Sequence, residues 1–449
     1  MTATARKILV LGLARSGIAA ACLADRLGWK VALCDDKPVA GQGAPAGAER
    51  IEPARALERI AQFDLLVPSP GVPASHPLLA AARDRGVRIV SELELAASRL
   101  DATLVAVTGT NGKSTTVTLV GAMIAAAGRR VFTGGNLGNP LSNAVGGDYE
   151  LAVAEVSSFQ LEWVEDFHPH VGALLNLSAD HLDRHGDIDA YLATKLRMFA
   201  NMDAGDFAVL ARGQQWTAHA AAATRAAVST FALTPRAPGE VGIEVDMRAR
   251  RLVGEGGFVA KLPRQWPRFP HDFENVAAAA QIARLLGVAP AAVEQALESF
   301  SPLRHRLALV AESGGVSYWN DSKATNVGAT LSSLRAFEGN VILLCGGVSK
   351  GCDFAPLARE AVRIKLVVAY GAAAPEIEAA LAGAIAVTRE PGLEGAVARA
   401  AGRACAGDTV LLAPACASFD EFRDYVERGE KFERWVADLL ATGATEEWA

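Results

Sequence analysis

Short apolar runs alternate along this chain with longer stretches of helical periodicity. The runs at residues 7–11, 31–34, 64–67 and 87–90 are four or five residues long, which is typical of buried strands. An Ala- and Leu-rich helix that ends near Leu27 separates the first two runs. The first part of the chain is therefore predicted to begin with a βαβ unit and to form a small α/β unit.

The same alternation starts again twice. It predicts further strands at residues 104–107, 151–154, 171–176, 316–320, 341–345, 366–370 and 409–413. Ser301-Pro302 interrupts the pattern, and residues 211–270 contain only short strand-like pieces. We predict an α/β fold of three domains in series, at residues 1–95, 96–300 and 301–449, since 449 residues fit about 150 per domain.

The turn after the strand at residues 104–107 has the strongest chemical signal. It reads Gly109-Thr110-Asn111-Gly112-Lys113-Ser114-Thr115. A strand that ends in a glycine turn and opens a helix directs backbone N–H groups at phosphate. Lys113 would then reach the outer phosphates of ATP, and Ser114 would bind Mg²⁺. Val107 replaces the first glycine of the Walker pattern. The alternative to an ATP site is therefore a glycine-rich structural turn with a surface lysine.

An earlier turn nearly matches a dinucleotide fingerprint. Gly12-x-Ala14-x-x-Gly17 is followed by Asp35, the position of a ribose-binding carboxylate. Ala14 replaces the glycine that lets a pyrophosphate approach the backbone. A nicotinamide oxidoreductase is therefore one alternative, and we favour another nucleotide diphosphate because an ATP site lies downstream.

Two residues that follow central strands are candidates for metal chemistry. Glu155 ends the run at residues 151–154, where it would either hold Mg²⁺ beside the glycine turn or stabilise a helix N-terminus. His181 and His185 have i, i+4 spacing, but Leu182 stands where a zinc peptidase needs glutamate. A zinc-peptidase site is therefore not expected.

Other polar residues have simple structural interpretations. Lys195 is expected to be a solvated lysine on the polar face of an amphipathic helix, and His168 and His170 beside Pro169 are expected to be structural. In the last part, polar loops at residues 320–326, 346–351 and 414–420 follow predicted strands. Three such loops indicate function rather than packing.

Composition narrows the class of protein. The chain is 51% hydrophobic and 21% charged with a net charge of −6, which disfavours nucleic-acid and anionic-membrane partners. Its six cysteines form no C-x-x-C pair, and no charge-free apolar run reaches the roughly 18 residues of a membrane span. We expect a cytoplasmic protein without a membrane segment.

Several motifs together resemble the Mur ligases of bacterial cell-wall synthesis. They are T-G-T-N-G-K-S-T, A-E-V-S-S-F-Q-L-E, N-L-S-x-D-H-L-D-R-H, Y-x-x-x-K-x-R, N-D-S-K-A-T-N and P-A-C-A-S-F-D, and the resemblance spans nearly the whole chain. It implies Rossmann-like first and last domains around a P-loop ATPase-like central domain. It also implies three small-molecule substrates, namely ATP, UDP-N-acetylmuramoyl-L-alanine and D-glutamate, and a monomer.

The resemblance also implies roles for individual residues. Those for the uridine-diphosphate sugar are Gly12, Ser16, Asp35, Asp36, Lys37, Ser69, Gly71, Asn136, Ser157 and Gln160. Those for ATP are Gly109, Thr110, Asn111, Gly112, Lys113, Ser114, Thr115, Arg306, Asp321 and Lys323. Those for the amino acid are Thr325, Lys350, Ser418, Phe419 and Tyr425. The implied catalytic set is Lys113, Glu155, His181 and Lys195, with two Mg²⁺ ions held by Ser114, Glu155, His181 and a CO₂-derived carbamate of Lys195.

The implied reaction is carboxylate activation. The alanine carboxylate takes the γ-phosphoryl group of ATP, and the glutamate amine then displaces phosphate. Asp272 and Ala308 depart from residues that are usual in the family, and the stereochemistry of the added glutamate stays open. The alternatives are a sibling ligase for L-glutamate or another amino acid, a folylpolyglutamate-type ligase, and a P-loop switch or motor that hydrolyses ATP without an amino acid.

Overall fold

The computed structural model describes residues 6–37, 42–237, 239–351 and 353–441. These residues form two compact units. The first unit comprises the described residues up to Leu177 together with Tyr191–Phe300, and the second comprises Ser178–Ala190 together with the described residues from Ser301 onward. The predicted α/β class is confirmed, because three β-sheets with flanking helices account for the regular structure.

The first sheet is entirely parallel and has the order β3-β2-β1-β4-β5. Its strands are β1 Lys7–Leu11, β2 Lys30–Cys34, β3 Glu49–Arg50, β4 Leu65–Pro68 and β5 Arg88–Ile89. Its helices are α1 Arg15–Arg26, α2 Pro53–Arg59, α3 Pro77–Asp84 and α4 Glu92–Ala97. All four predicted strands are present, whereas the two-residue β3 was missed because it is too short to show a period.

Side chains of β1 alternate between two cores, as strand geometry requires. Leu9 and Leu11 lie in a core of the first sheet alone, whereas Ile8 and Val10 lie in a core shared with the central sheet. Helix α4 joins that shared core through Leu93 and two further apolar residues. Burying each large side chain there contributes about 2 kcal/mol. The first and central sheets are therefore packed as one body.

The central sheet has nine strands in the order β14-β13-β12-β11-β10-β9-β6-β8-β7. They are β6 Thr103–Thr108, β7 Val131–Gly135, β8 Leu151–Glu155, β9 Val171–Leu174, β10 Phe207–Ala211, β11 Ala227–Ala232, β12 Gly242–Asp246, β13 Arg251–Gly254 and β14 Val259–Lys261. Strands β6 to β12 pair in parallel, and β13 and β14 extend the sheet as an antiparallel hairpin. The three strands predicted before residue 211 are confirmed, while β7 and β10 were missed.

One of the helices that accompany these strands is buried over most of its surface. These helices are α5 Lys113–Ala126, α6 Ser158–Leu161, α8 Ile188–Leu196, α9 Thr217–Ala222, α10 Pro270–Leu285 and α11 Pro290–Ser299. Helix α5 follows the glycine turn and packs against the sheet on one side and against α10 and α11 on the other. This position explains why its apolar residues show no amphipathic stripe.

The third sheet lies in the second unit and has the order β15-β16-β20-β17-β18-β19. Its strands are β15 Ala308–Ser313, β16 Val316–Asn320, β17 Val341–Gly346, β18 Ile364–Tyr370, β19 Val387–Glu390 and β20 Thr409–Ala415. The helices of this unit are α7 Leu182–His185, α12 Val327–Leu334, α13 Ala374–Leu381, α14 Leu393–Arg403 and α15 Tyr425–Ala441. The four predicted strands are confirmed, and the more exposed β15 and β19 were missed.

Strand order decides where the functional loops lie. Strands β16, β20 and β17 are parallel neighbours, so the three polar loops that follow them meet at one edge of the third sheet. Strands β8, β6 and β9 are parallel neighbours in the same way, which groups Glu155 with the glycine turn. Among the described residues, no helix has the length and apolarity needed to cross a membrane.

Candidate functional site

The turn between β6 and α5 requires its glycines. Gly112 has φ +82, and a Cβ atom there would lie 2.1 Å from Oδ1 of Asn275. Gly109 has φ +152, and its Cβ would lie 3.1 Å from that of Leu175. A side chain at either position would be both strained and crowded. The turn is therefore a tightly packed backbone loop, as the triphosphate prediction requires.

Two asparagines support this loop, and sequence reasoning gave neither a role. The Asn111 N–H donates to Oδ1 of Asn176 at 2.8 Å, and Nδ2 of Asn176 donates to the Asn111 carbonyl at 3.0 Å. The Thr110 N–H donates to the Asn176 carbonyl at 3.1 Å. Asn275 packs against Gly112 from α10. Asn176 is the last residue of the predicted strand at residues 171–176, so its position at a strand end was the available signal.

Lysine side chains converge on one carbonyl of the loop. Nζ of Lys113 donates to the carbonyls of Gly109 and Thr110 at 2.9 and 2.8 Å. Nζ of Lys195 donates to the same Gly109 carbonyl at 3.0 Å and lies 4.3 Å from the ring centroid of Tyr191. Lys195 is only 1% exposed, so its interpretation as a solvated surface lysine is wrong. The hydrophobic period of α8 could not reveal that the aliphatic stem and ammonium are both enclosed.

Glu155 is a buried carboxylate at the end of β8. It is 4% exposed and accepts a hydrogen bond from Nδ2 of Asn136 at 2.8 Å, while the Asn136 N–H donates to the Glu155 carbonyl at 2.9 Å. Helix α6 is capped by Ser157, whose Oγ accepts from the Gln160 N–H at 3.3 Å. Oε1 of Gln160 in turn accepts a hydrogen bond from the Ser157 N–H at 3.0 Å. Ser157 and Gln160 therefore form the capping box of α6, and Glu155 lies two residues before the capping serine.

Hydroxyl groups complete the loop at the start of α5. Ser114 and Thr115 are each 6% exposed and occupy the first turn of that helix. Their positions beside Lys113 place hydroxyl oxygens, a carboxylate strand end and ammonium groups around one helix N-terminus. Such a combination suits a triphosphate with a divalent cation.

The turn between β1 and α1 is also closed by polar side chains. Gly12 has φ +87, and its carbonyl accepts the Ser69 hydroxyl at 2.7 Å. A Cβ at Gly17 would lie 1.9 Å from that carbonyl, so helix and turn touch backbone to backbone. Asp35 accepts the N–H groups of Leu13 and Lys37 at 2.7 and 2.9 Å. The candidate residues Gly12, Asp35 and Ser69 therefore form one connected turn.

A histidine that was not predicted supports the neighbouring carboxylate. Nε2 of His76 lies 3.1 Å from Oδ2 of Asp36, and Nδ1 accepts the Leu78 N–H at 3.2 Å. Because Nδ1 is an acceptor, the proton lies on Nε2 and donates to Asp36. Among the other candidates, Ser16 is half-buried, and Lys37 and Gly71 are exposed at the rim of this turn.

In the second unit, Asp180 organises two candidate residues. It accepts Nζ of Lys350 at 3.1 Å and Nδ2 of Asn326 at 2.9 Å, and its Oδ1 also accepts the His181 N–H at 3.0 Å. Burial alone would raise the pKa of Asp180, but the charges of Lys350 and His181 and these hydrogen bonds hold it below its usual value. Asp180 is therefore ionised at neutral pH. Sequence reasoning quoted it in a motif without giving it a role.

His181 has an unusual backbone conformation. It has φ +55, which is uncommon for a residue with a side chain, and it directly precedes the one-turn helix α7. Its Nε2 lies 3.8 Å from Oδ2 of Asp180. Strain of this kind is often retained at functional sites, where surrounding contacts maintain it.

A buried arginine connects two of the polar loops of the third sheet. Arg428 of α15 is fully buried and donates to the hydroxyl and carbonyl of Ser322 at 3.0 and 2.9 Å. It also donates to the Cys416 carbonyl at 3.1 Å. Nζ of Lys323 lies 3.9 Å from the ring centroid of Tyr425 in the same helix. Arg428 was not predicted, because a charged residue in a helix of mixed charge gives no local sign of burial.

The remaining candidates of the second unit differ in exposure. Ser418 is 2% exposed and Phe419 is 73% exposed, although they are neighbours in the loop after β20. Asp321 accepts the Ser333 hydroxyl, while Arg306 and Thr325 are half-buried. The structure thus assembles Lys323, Tyr425 and Lys350 with local partners and leaves Phe419 largely in solvent.

Asp272 and Ala308, which depart from the family pattern, differ in whether the structure explains them. Oδ2 of Asp272 accepts the N–H groups of Arg268 and Phe269 at 3.1 and 3.2 Å, so it caps the start of α10. An asparagine oxygen would accept the same bonds, and aspartate adds a favourable charge at the helix N-terminus. Ala308 is the first residue of β15, and nothing in its surroundings explains the substitution.

Comparison with known proteins defines the class. The family described as Mur ligase middle domain matches residues 107–251, and the family described as Mur ligase, glutamate ligase domain matches residues 305–416. The chain belongs to the Mur ligase family.

Curated relatives that match nearly the whole chain share one name. The UDP-N-acetylmuramoylalanine--D-glutamate ligase of Syntrophus aciditrophicus is 39% identical over 448 residues, which cover 97% of this chain and 98% of the relative. The protein of the same name from Anaeromyxobacter dehalogenans is 44% identical over 463 residues, with 96% and 97% coverage.

Solved structures agree in fold. MurF from Acinetobacter baumannii has a TM-score of 0.62 at 17% identity and covers 97% of this chain and 90% of its own. MurF ligase from Thermotoga maritima in complex with ADP has a TM-score of 0.60 at 18% identity and covers 96% of each chain. The expected family fold is therefore confirmed.

Proposed function

We propose that this chain is an ATP-dependent ligase that adds D-glutamate to the alanine carboxylate of UDP-N-acetylmuramoyl-L-alanine. The carrying observation is the pair of lysines on the Gly109 carbonyl, with the buried Glu155 at the adjacent strand end. A carboxylate that attacks a triphosphate needs compensating positive charge, which Lys113 and Mg²⁺ held at Glu155 and Lys195 would supply. The shared name of the full-length relatives supports the choice of substrate.

The residues around the glycine turn fit ATP and magnesium. The N–H groups at the start of α5 and Lys113 would bind the phosphates, and Ser114 with Glu155 would hold one Mg²⁺. Asn136 keeps Glu155 oriented by its 2.8 Å hydrogen bond. Bound Mg²⁺ would neutralise charge between the carboxylate and the triphosphate. Arg306, Asp321 and Lys323 remain predicted contacts of ATP.

Lys195 is proposed to carry a carbamate that holds a second Mg²⁺ with His181. Burial and the neighbouring Lys113 both disfavour a second ammonium on one carbonyl. An unprotonated Nζ can form an N–C bond with CO₂, releasing one proton and leaving an anionic carbamate. The buried position and the shared Gly109 acceptor support this assignment.

The binding sites for the uridine-diphosphate substrate and for glutamate are assigned to different sheets. The turn formed by Gly12, Asp35 and Ser69 would bind the uridine diphosphate, with Asn136, Ser157 and Gln160 toward the sugar. In the second unit, Lys350 offers a cation for a glutamate carboxylate, and Asp180 fixes its position. Thr325, Ser418, Phe419 and Tyr425 remain predicted contacts of glutamate. We also expect a cytoplasmic monomer.

Product analysis tests the substrate assignment. The purified chain would be incubated with ATP, Mg²⁺ and UDP-N-acetylmuramoyl-L-alanine, together with D-glutamate, L-glutamate or meso-diaminopimelate. The molecular mass of each product would then be measured by mass spectrometry. We expect one added glutamyl residue with D-glutamate alone. Product with L-glutamate or diaminopimelate instead would support the sibling-ligase alternative and overturn the assignment.

A further inference from the structure

A cluster of histidines and aspartates lies at the opposite edge of the central sheet from the glycine turn. His170 directly precedes β9 and Asp206 directly precedes β10, and these strands pair in parallel from their first residues. The glycine turn instead follows the carboxyl end of β6. The six residues of β6 span about 20 Å, so this cluster is separate from the ATP site.

Asp206 is the centre of the cluster. Its Oδ2 lies 2.5 Å from Nε2 of His168, and its Oδ1 lies 3.1 Å from Nδ1 of His170. Oδ1 of Asp203 accepts the Gly205 N–H at 2.8 Å, which fixes that second carboxylate on the loop before β10. One ligand atom from each of His168, Asp203 and Asp206 lies within 4.8 Å of the others. One imidazole nitrogen and two carboxylate oxygens are therefore close enough to bind one metal ion.

The Asp206 carboxylate is buried and held in place. It is 6% exposed, and its Oδ2 accepts the Asp203 N–H at 2.8 Å. A cleft of about 530 Å³ lined by His168, His170, Asp206 and Arg129 lies beside the cluster and provides an entry path.

We propose that His168, Asp203 and Asp206 bind a divalent transition-metal ion such as Zn²⁺, with His170 orienting Asp206 through its second oxygen. One imidazole and two carboxylates suit Zn²⁺, whereas Mg²⁺ prefers oxygen ligands alone. The second histidine provides the outer hydrogen bond that commonly orients a ligating carboxylate. The ion would connect the starts of β9 and β10 and take no part in the ligase reaction.

Calorimetry with Zn²⁺ as the only titrant tests the site. The full chain would be freed of metal with a chelator and titrated in excess Mg²⁺, alongside His168→Gln, Asp203→Asn and His170→Gln. His219→Gln serves as the matched control, since His219 is an exposed histidine of α9. We expect His168→Gln and Asp203→Asn to bind one Zn²⁺ fewer than the unsubstituted chain, and His170→Gln to bind that ion about 10- to 100-fold more weakly.

A second readout is the Tm with and without Zn²⁺. Zn²⁺ should raise the Tm of the unsubstituted chain and of His219→Gln but not that of His168→Gln. Equal stoichiometry, affinity and Tm shift in the unsubstituted chain and His168→Gln would overturn the proposal and leave the cluster as hydrogen bonds alone. Because neither readout uses ligase turnover, both results are independent of the proposed function.

Discussion

The first and central sheets each contain a strand, a glycine turn and a helix, yet different charged side chains contact the two turns. Asp35 and Asp36 bring carboxylates to the first turn, whereas Lys113 and Lys195 bring ammonium groups to the second, where the Glu155 carboxylate ends the adjacent strand. Both turns pack a polar side chain against their glycine. We infer that this shared backbone geometry suits a nucleotide at both turns, and that the surrounding charges distinguish the uridine diphosphate proposed at the first turn from the triphosphate proposed at the second.

Replacing Lys195 should have the largest effect. We expect Lys195→Ala to lower the rate of phosphate release about 10³-fold or more, because the proposed carbamate ligand of the second Mg²⁺ is lost, and with it the positive charge that this ion supplies at the triphosphate. Lys195→Arg should be equally inactive, since a guanidinium keeps its charge and forms no carbamate. Short carboxylic acids should partly restore Lys195→Ala.

Activity retained by Lys195→Arg would contradict the carbamate. Circular dichroism of each variant separates this outcome from misfolding, because the aliphatic stem of Lys195 is itself buried.

Gly112→Ala should weaken ATP binding and reduce stability. Its Cβ would meet Asn275 at 2.1 Å and it has φ +82, so we expect a cost of about 2 kcal/mol or more. Gly128→Ala is the matched control, because Gly128 follows the same helix with φ +76 and has open space around it. A Tm for Gly112→Ala equal to that of Gly128→Ala would show that packing against Asn275 does not contribute to stability.

Gly12→Ala should separate the two nucleotide sites. Its Cβ would lie 2.9 Å from that of Ser69, so we expect the KM for the uridine substrate to rise about 10-fold while the KM for ATP stays unchanged. Gly28→Ala, which follows α1 at φ +73 with open space, should leave both constants unchanged. An effect of Gly12→Ala on ATP alone would remove the proposed division between the turns.

The smallest effect, a change in the free energy of unfolding, is expected for Glu92, which lies between the first and central sheets. Glu92 of α4 is 2% exposed and accepts the Ser142 N–H at 2.6 Å, and burial raises its pKa. A carboxyl with a raised pKa in the folded state takes up a proton on folding, so its contribution to stability falls as pH rises from about 4.5 through the folded pKa.

Glu92→Gln should therefore be nearly neutral at pH 4.5 and stabilising by about 1 kcal/mol at pH 8, as measured by urea unfolding. Glu58→Gln, at an exposed position, controls for the loss of a carboxylate. A difference that does not grow with pH would mean that Glu92 is ionised in the folded chain.

Sequence patterns predicted the elements whose formation depends mainly on neighbouring residues. The strand before each glycine turn, the turn itself and the helix after it were all found from neighbouring residues, and so were the loops of the third sheet. Strands of two residues such as Glu49–Arg50 and the hairpin β13–β14 carry too little periodicity to be resolved. Their pairing is decided by strands elsewhere in the sheet.

Site residues that depend on distant partners were harder to predict. Lys195 is buried by a loop more than eighty residues earlier in the chain, and Asp180 meets Lys350 across 170 residues. Arg428 is enclosed only because α15 packs on two loops that precede it. The motif resemblance pointed to Lys195 and Lys350 but gave no reason for their environments.

The central claim is that the glycine turn of the central sheet serves transfer of phosphate onto the substrate carboxylate. It is tested most directly with UDP-N-acetylmuramoyl-L-alanine whose alanine carboxylate carries ¹⁸O, together with ATP, Mg²⁺ and D-glutamate. Attack of that carboxylate on the γ-phosphorus, followed by amine displacement, leaves one ¹⁸O atom in each phosphate released. We predict singly labelled phosphate that appears only when all substrates are present. Unlabelled phosphate, or release from ATP alone, would contradict the account.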